Sequence, residues 1–317
     1  MKMSAKISTL APIVLFAYNR ANELKQTIEA LQANYLANES EIHVFSDGPR
    51  KLDDIPKVEK VRRIINNMSG FKQVHRYYAE CNHGLAESVI TGVSQVLLKY
   101  SNVIVLEDDL QTSPNFLDYM NHSLNQYESN TMVFSIAGYT FPIKRPHDYP
   151  FDVYLFPRTG SWGWATWADR WKKADWDVVD YKMFMSTPEH RKAFNQGGAD
   201  LASMLQRQQN GEINSWAIRW CYSQYKFGGL TLYPTISKVQ NIGFSDEATH
   251  TKVFNRYQTI LDKGLEREFN LPLDPILKNY YLKQVQKQFS FKIRLINRLK
   301  TYIGVRSKSN YFLNTTR

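Results

Sequence analysis

Residues 103–116, VIVLEDDLQTSPNF, decide how the chain is read. A run of branched apolar residues stops at three consecutive carboxylates, Glu107, Asp108 and Asp109. Ser113-Pro114 then offers a helix N-cap followed by proline at the first helical position. The pattern predicts a buried β-strand, an acidic turn and a helix. Two unit charges about 4 Å apart repel by roughly 1 kcal/mol in water and about 4 kcal/mol at a protein surface. A cation is the natural way to relieve such a cluster.

The same alternation runs upstream. PIVLFAY (12–18) precedes ANELKQTIEALQANY, whose Leu24, Ile28 and Leu31 share a helical face; EIHVFSD (41–47) precedes a helix around 58–67. KQVHRYYA (72–79) precedes GLAESVITGVSQVLLKY. Repeated strand–helix units predict a mainly parallel sheet covered by helices. Ligands of such sheets sit beyond the carboxyl ends of the strands, near helix N-termini that favour phosphate. Four polar groups fall there: Asn19-Arg20, Asp47-Gly48, Asn82-His83-Gly84 and the Glu107-Asp108-Asp109 turn. Together they suit a nucleotide diphosphate and a divalent ion. No GxGxxG or GxxxxGK[ST] is present, so the dinucleotide and P-loop readings lose support.

With 317 residues, 43% of them hydrophobic, the chain can bury a full core. The N-terminal LysXXXLys and apolar run could imitate a signal peptide, but Tyr18-Asn19-Arg20 ends the run without a small-residue cleavage site, and a first strand is the better reading. The apolar runs are too short for the roughly 20 residues that cross a bilayer. Cys81 and Cys221 are far apart, excluding a disulfide scaffold and pointing to a reducing, cytoplasmic setting, with both read as core thiols. The net charge of +10 is uneven: residues 1–250 hold 26 basic and 26 acidic side chains, residues 251–317 hold 14 and 4. A neutral body argues against nucleic acid as a partner. After residue 142 the sequence turns aromatic and irregular, with Trp162, Trp164, Trp167, Trp171 and Trp176 in one short stretch.

FAYNR, SDGP, NHGLAES and VLEDDL, each after one of the four strands, resemble the donor-binding half of GT-A glycosyltransferases. SWGWATWADRW and SWAIRW…GLTLYP…VQNIGF…TH are similar to bacterial glycosyltransferases of surface-polysaccharide assembly, and distantly to the N-acetylglucosaminyltransferase that begins complex N-glycan branching. The resemblance implies an α/β fold of the GT-A (Rossmann-like) kind. Residues 1–140 would form a nucleotide-sugar-binding half, residues 141–252 an acceptor-binding half of the same catalytic domain, and residues 253–317 a basic helical tail. It implies a metal-dependent transfer from a nucleotide-diphosphate sugar, a UDP-sugar by preference, to a glycan or lipid-linked acceptor.

In that picture Asp109 and His250 hold Mn2+ or Mg2+, hard ions that prefer oxygen ligands and bridge diphosphates. Asp108, Glu107, Asp47, Asn82 and Arg20 contact the donor. Trp162 and Trp164 offer rings on which an acceptor sugar stacks, with Trp171 and Trp176 in packing. An inverting transfer needs a carboxylate base. Laid on the eukaryotic relative, Ala217 falls where that enzyme carries its catalytic aspartate, so Glu212, just before the same helix, is the first substitute, then Asp246 and Glu247.

The tail repeats apolar residues at helical spacing, Val285, Phe289, Ile293, Ile296, Leu299 and Ile303, with Lys283, Lys287 and Arg298 off that stripe. Such a helix can lie on the anionic inner face of a cell membrane, or dock on the main domain. A nucleotidyltransferase would use similar acids but a glycine-rich, basic first loop, which FAYNRANE is not. A non-catalytic nucleotide-sugar- or nucleic-acid-binding protein is the other alternative.

Overall fold

The computed structural model describes residues 9–243 and 257–290, together with 293, 295, 296 and 299. The strand–helix units form where the apolar runs place them. Strands β1 (Ile13–Ala17), β2 (Glu41–Ser46), β3 (Gln73–Tyr78) and β4 (Asn102–Glu107) alternate with helices α1 (Ala21–Gln32), α2 (Ile55–Asn66) and α3 (Leu85–Leu97). Then follow β5 (Leu110–Thr112), α4 (Phe116–Gln126), β6 (Val133–Ala137), β7 (Val153–Phe156) and β8 (Trp164–Trp167). Four short helices come next: α5 (Ala168–Trp171), α6 (Tyr181–Ser186), α7 (Pro188–Phe194) and α8 (Leu201–Gln209). Helix α9 (Trp216–Lys226), β9 (Leu230–Pro234), β10 (Val239–Asn241) and α10 (Asn279–Gln288) complete the described elements.

Eight strands make one sheet in the order β3-β2-β1-β4-β8-β6-β9-β7. The β3-β2-β1-β4 half is parallel throughout, while β8 runs antiparallel between β4 and β6. The fold is α/β with a mainly parallel sheet. Strand β1 is buried on both faces, as a continuous apolar run in a parallel sheet should be. On one face Leu24, Ile28 and Leu31 of α1, Val61 and Ile65 of α2, and Leu117, Met120 and Leu124 of α4 pack on Ile13, Leu15, Ile42 and Ile104. On the other, Val89, Val93 and Val96 of α3 and Trp216 and Trp220 of α9 pack on Val14, Phe16, Val103 and Val105. Each such side chain contributes about 1.5–3 kcal/mol by leaving water. Gly92 lets α3 lie close, because a Cβ there would stand 2.8 Å from the Phe16 ring.

Two expectations are corrected, and an alternative left open for the tail is decided for its first part. The helix after the acidic turn opens at Phe116, two residues later than Ser113-Pro114 suggests, because residues 110–112 pair antiparallel with β10 and the Ser113 N–H donates to Lys238 O at 2.9 Å. Cys221 is buried, but Cys81 is exposed. The first part of the tail's apolar stripe docks on the main domain: Tyr281, Val285 and Phe289 are buried with Phe141, Tyr154 and Tyr233. Leu295, Ile296 and Leu299 are exposed. No helix among the described residues is long and apolar enough to cross a membrane.

Candidate active site

The C-terminal ends of β1, β2 and β4 bring three of the four polar groups side by side, since Ala17 pairs with Ser46 and Phe16 with Glu107. The acidic turn is held from two sides. The Thr27 hydroxyl on α1 donates to Asp108 O at 2.9 Å and accepts from Leu110 N–H at 3.1 Å. The Ile242 N–H, just past β10, donates to Asp109 O at 2.8 Å. A turn whose backbone is spent in this way fixes where its carboxylates point.

Arg20, at the start of α1, supplies the cation the cluster requires. Its Nη1 stands 2.8 Å from Asp109 Oδ2 and its Nη2 2.5 Å from Asp108 Oδ1. The two acids are nearly buried, while Arg20 is 39% exposed. The Tyr18 N–H also donates to Asp108 Oδ2, at 3.1 Å. Among the described residues Asp109 Oδ1 is buried with no hydrogen-bond partner. Burial pushes the Asp108 carboxyl up to about 6 against the pull of Arg20. Burial, then the charges of Asp109 and Asp108, push Glu107 up to about 8. Burial alone would disfavour the Arg20 charge, but Asp108 and Asp109 outweigh it and raise the guanidinium above its ordinary value. Asp108 and Asp109 thus share one guanidinium, and the raised values of Asp108 and Glu107 mark how unfavourable further negative charge is there without another cation. A divalent cation fits this donor set: carboxylate oxygens are the ligands hard ions prefer, and Asp109 Oδ1 is an unpaired buried acceptor.

The remaining expected residues divide. Asp47 sits at the end of β2, but each of its oxygens already accepts two hydrogen bonds: Oδ1 from Gly48 and His83 N–H, Oδ2 from Gly84 N–H and the Asn82 amide, all at 2.8–2.9 Å. A carboxylate has about four acceptor sites, so Asp47 is corrected from a base contact to the clasp of the 81–84 loop. Asn82 spends its amide N–H groups on Asp47 and on Gly48 O. Trp164 is also corrected: it is 1% exposed and stacked at 4.9 Å on Trp216, so neither face is open to a sugar. Trp162 is half-buried, edge-on to Tyr139 and Tyr257. Trp171 is buried and Trp176 packs against it at 4.7 Å.

Glu212 is exposed and bound to Arg207 at 3.3 Å and to the Asn210 amide at 3.0 Å. Among the described residues no contact joins it to the acidic turn. Asp246, Glu247 and His250 lie outside the described residues. The chain leads toward them from Gly243, where a Cβ would overlap Asp109 Oδ2. Tyr18, Thr27 and Gly243 are site residues that sequence reasoning passed over. Gly243 alone had a signal, as the glycine of the quoted VQNIGF.

The model of Glycosyl transferase family 2 matches residues 13–191, more than half of the chain, and the chain belongs to this family. Over 170 residues it is 24% identical to an alpha-1,3-mannosyl-glycoprotein 2-beta-N-acetylglucosaminyltransferase of Arabidopsis thaliana, a match covering 50% of this chain and 35% of that protein. The matched stretch is thus about a third of that relative's length. Among solved structures it is similar to the galactosyltransferase LgtC with donor and acceptor sugar analogues (12% identity, TM-score 0.38, 70% of this chain and 72% of that one). It is also similar to the mannosyltransferase PcManGT of Pyrobaculum calidifontis with GDP-mannose and Mn2+ (13% identity, TM-score 0.35, 51% and 46%).

Proposed function

We propose that this chain is a metal-dependent, inverting glycosyltransferase, and that it moves a sugar from a UDP-sugar to a glycan or lipid-linked acceptor in surface-polysaccharide assembly. The observation that carries the metal reading is the buried, unpartnered Asp109 Oδ1 beside Asp108. Asp109 and Asp108 would hold Mn2+ or Mg2+, with His250 as a further ligand. The ion's contribution is to meet the charge that grows on the leaving diphosphate.

The chain's own residues do the rest. Asp108 and Asp109 share Arg20 until the donor arrives, and the guanidinium, over a third exposed, can then turn to a phosphate oxygen. The acceptor hydroxyl oxygen forms the new bond to the anomeric carbon as the bond from that carbon to the diphosphate oxygen breaks. The electron pair leaves with the nucleoside diphosphate, and the hydroxyl proton passes to a carboxylate. Asp246 or Glu247 is the base we favour over Glu212, because Gly243, three residues before Asp246, abuts Asp109 while Glu212 is paired elsewhere. Trp162 is the ring for acceptor stacking. Residues 1–140 would form the donor half and residues 141–252 the acceptor half, both drawing on one sheet. Exposed Leu295, Ile296 and Leu299 among the tail's basic residues support contact with an anionic membrane face.

Thermal unfolding with a panel of nucleoside diphosphates and nucleotide-sugars, with and without Mn2+, tests the donor reading. At a hundredfold excess over Kd a ligand of the folded state adds about 2.7 kcal/mol. A Mn2+-dependent rise with uridine nucleotides, lost in Asp109→Ala, is the expected outcome; no rise with any nucleotide refutes it.

A further inference from the structure

The opposite end of the same sheet carries a second polar cluster that sugar transfer does not use. Glu41 and His43 lie two apart on β2, so both project from one face, and His75 on β3 is directly in register with His43. The two imidazole rings stack 4.3 Å apart at 13°. Among the described residues the His43 and His75 Nε2 atoms are both buried without a hydrogen-bond partner. His75 Nε2 stands 3.7 Å from Glu41 Oε2, too far for a hydrogen bond. It is close to the roughly 3.4 Å that two ligands of one tetrahedral Zn2+ keep. One ligand atom from each of the three residues lies within 4.8 Å of the others.

We infer that Glu41, His43 and His75 form a binding site for a transition-metal dication of the Zn2+ class, distinct from the acidic turn. Two imidazole nitrogens and one carboxylate are a recurrent three-ligand set for zinc, with the fourth position left to water. The surroundings suit it. Tyr77 Oη is 3.1 Å from His43 Nδ1, and with that oxygen accepting from Nδ1–H the Nε2 lone pair is left for a metal, which it reaches by the ring turning out of the stack. Tyr100 Oη donates to Glu41 Oε2 at 2.8 Å and orients the carboxylate. Lys72 now holds Glu41 Oε1 at 3.1 Å, but it is 62% exposed and can yield to an ion. His75 and Glu41 are each about a quarter exposed, which leaves an entry path.

The site is chemically unlike the acidic turn. Imidazole nitrogen selects Zn2+, Ni2+ or Cu2+ over Mg2+ and Mn2+, which prefer oxygen. It joins β2 to the edge strand β3 at the strand starts, away from the donor end, so its occupation should brace the sheet edge and leave transfer unchanged.

The test is calorimetric titration of the metal-free full chain with Zn2+, repeated with Co2+ to read the visible absorption of a four-coordinate ion. His75→Gln, Glu41→Gln and Asp109→Asn are the variants. The expected result is one Zn2+ per chain at submicromolar Kd, a raised melting temperature, and binding weakened at least about 100-fold in either cluster variant. Asp109→Asn should bind Zn2+ as wild type does. Absence of tight Zn2+ binding by the wild type overturns the inference, as does binding unchanged in both His75→Gln and Glu41→Gln. Should one variant fail to fold, judged by circular dichroism, the other decides alone.

Discussion

Two polar clusters sit at opposite ends of one parallel sheet, and they are balanced differently. At the strand C-termini Asp108 and Asp109 face each other across a guanidinium already inside the cluster. At the strand N-termini His43 and His75 stack face to face with both Nε2 atoms unpartnered among the described residues, and Lys72 pairs with Glu41. The first is a charge cluster with an exchangeable counter-ion, built for a ligand that comes and goes. The second is a set of unmet ligand atoms with little charge, suited to an ion that stays. Sharing a sheet makes them neighbours in the fold and strangers in chemistry.

The sharpest way to break this contrast is a crossed mutation. Asp109→Asn keeps the size of the side chain but removes a ligand oxygen's charge, and should lower kcat for sugar transfer about 100- to 1000-fold, the scale of losing one group that stabilises the transition state. His75→Gln should leave kcat within about twofold, because its place is at the far end of β3. Steady-state kinetics on a uridine-nucleotide sugar would expose equal losses in the two variants, which the contrast forbids.

Arg20→Ala gives the next largest effect. It leaves two buried carboxylates uncompensated, so the metal-free chain should lose about 1–3 kcal/mol of stability, less than for a fully buried pair because Arg20 is over a third exposed. Added Mn2+ should restore most of that loss, and urea unfolding with and without the ion measures it. A variant as stable as wild type, or one that Mn2+ does not rescue, would show that Arg20 is not the counter-ion.

The smallest effect concerns the strap that carries the chain past the donor end. Lys238 pairs with Asp262, which also accepts from Gly264 N–H at 2.9 Å. Burial draws the Asp262 carboxyl up, but the Lys238 and Gly264 hydrogen bonds outweigh it and hold the group below its ordinary value. A carboxyl depressed in the folded state binds protons more readily when unfolded. Its contribution is therefore complete above about pH 4 and fades as pH falls through the folded value. Asp262→Asn should flatten the acid limb of the stability curve below about pH 4 and leave its shape at neutral pH unchanged. An identical acid limb would remove Asp262 from the account.

What the sequence shows of this molecule follows from which forces are local. Strands β1, β2 and β4 are legible because strands buried on both faces require continuous apolar runs, and the acidic turn is legible because it ends one of them. Strands β5 and β10, three residues each, carry no period to read. Trp164 could not be told from Trp162 by pattern, since both stand in one aromatic stretch and only the antiparallel entry of β8 between β4 and β6 buries the former. Asp47 announces a turn, whereas its grip on His83 and Gly84 spans more than 35 residues. The Arg20–Asp108 pair spans 88 residues and depends on β1 lying beside β4. The histidine pair was equally hidden: His43 and His75 look like strand residues until the register of β2 and β3 sets them face to face.

The donor-site proposal stands or falls on Asp109 as a metal ligand. Electron paramagnetic resonance of Mn2+, titrated into wild type, Asp109→Asn and His75→Gln in the presence of UDP, tests it most directly because free and bound ion are counted separately. One Mn2+ bound per chain in wild type and in His75→Gln, and none in Asp109→Asn, is the result expected. Equal Mn2+ binding by wild type and Asp109→Asn would contradict the claim.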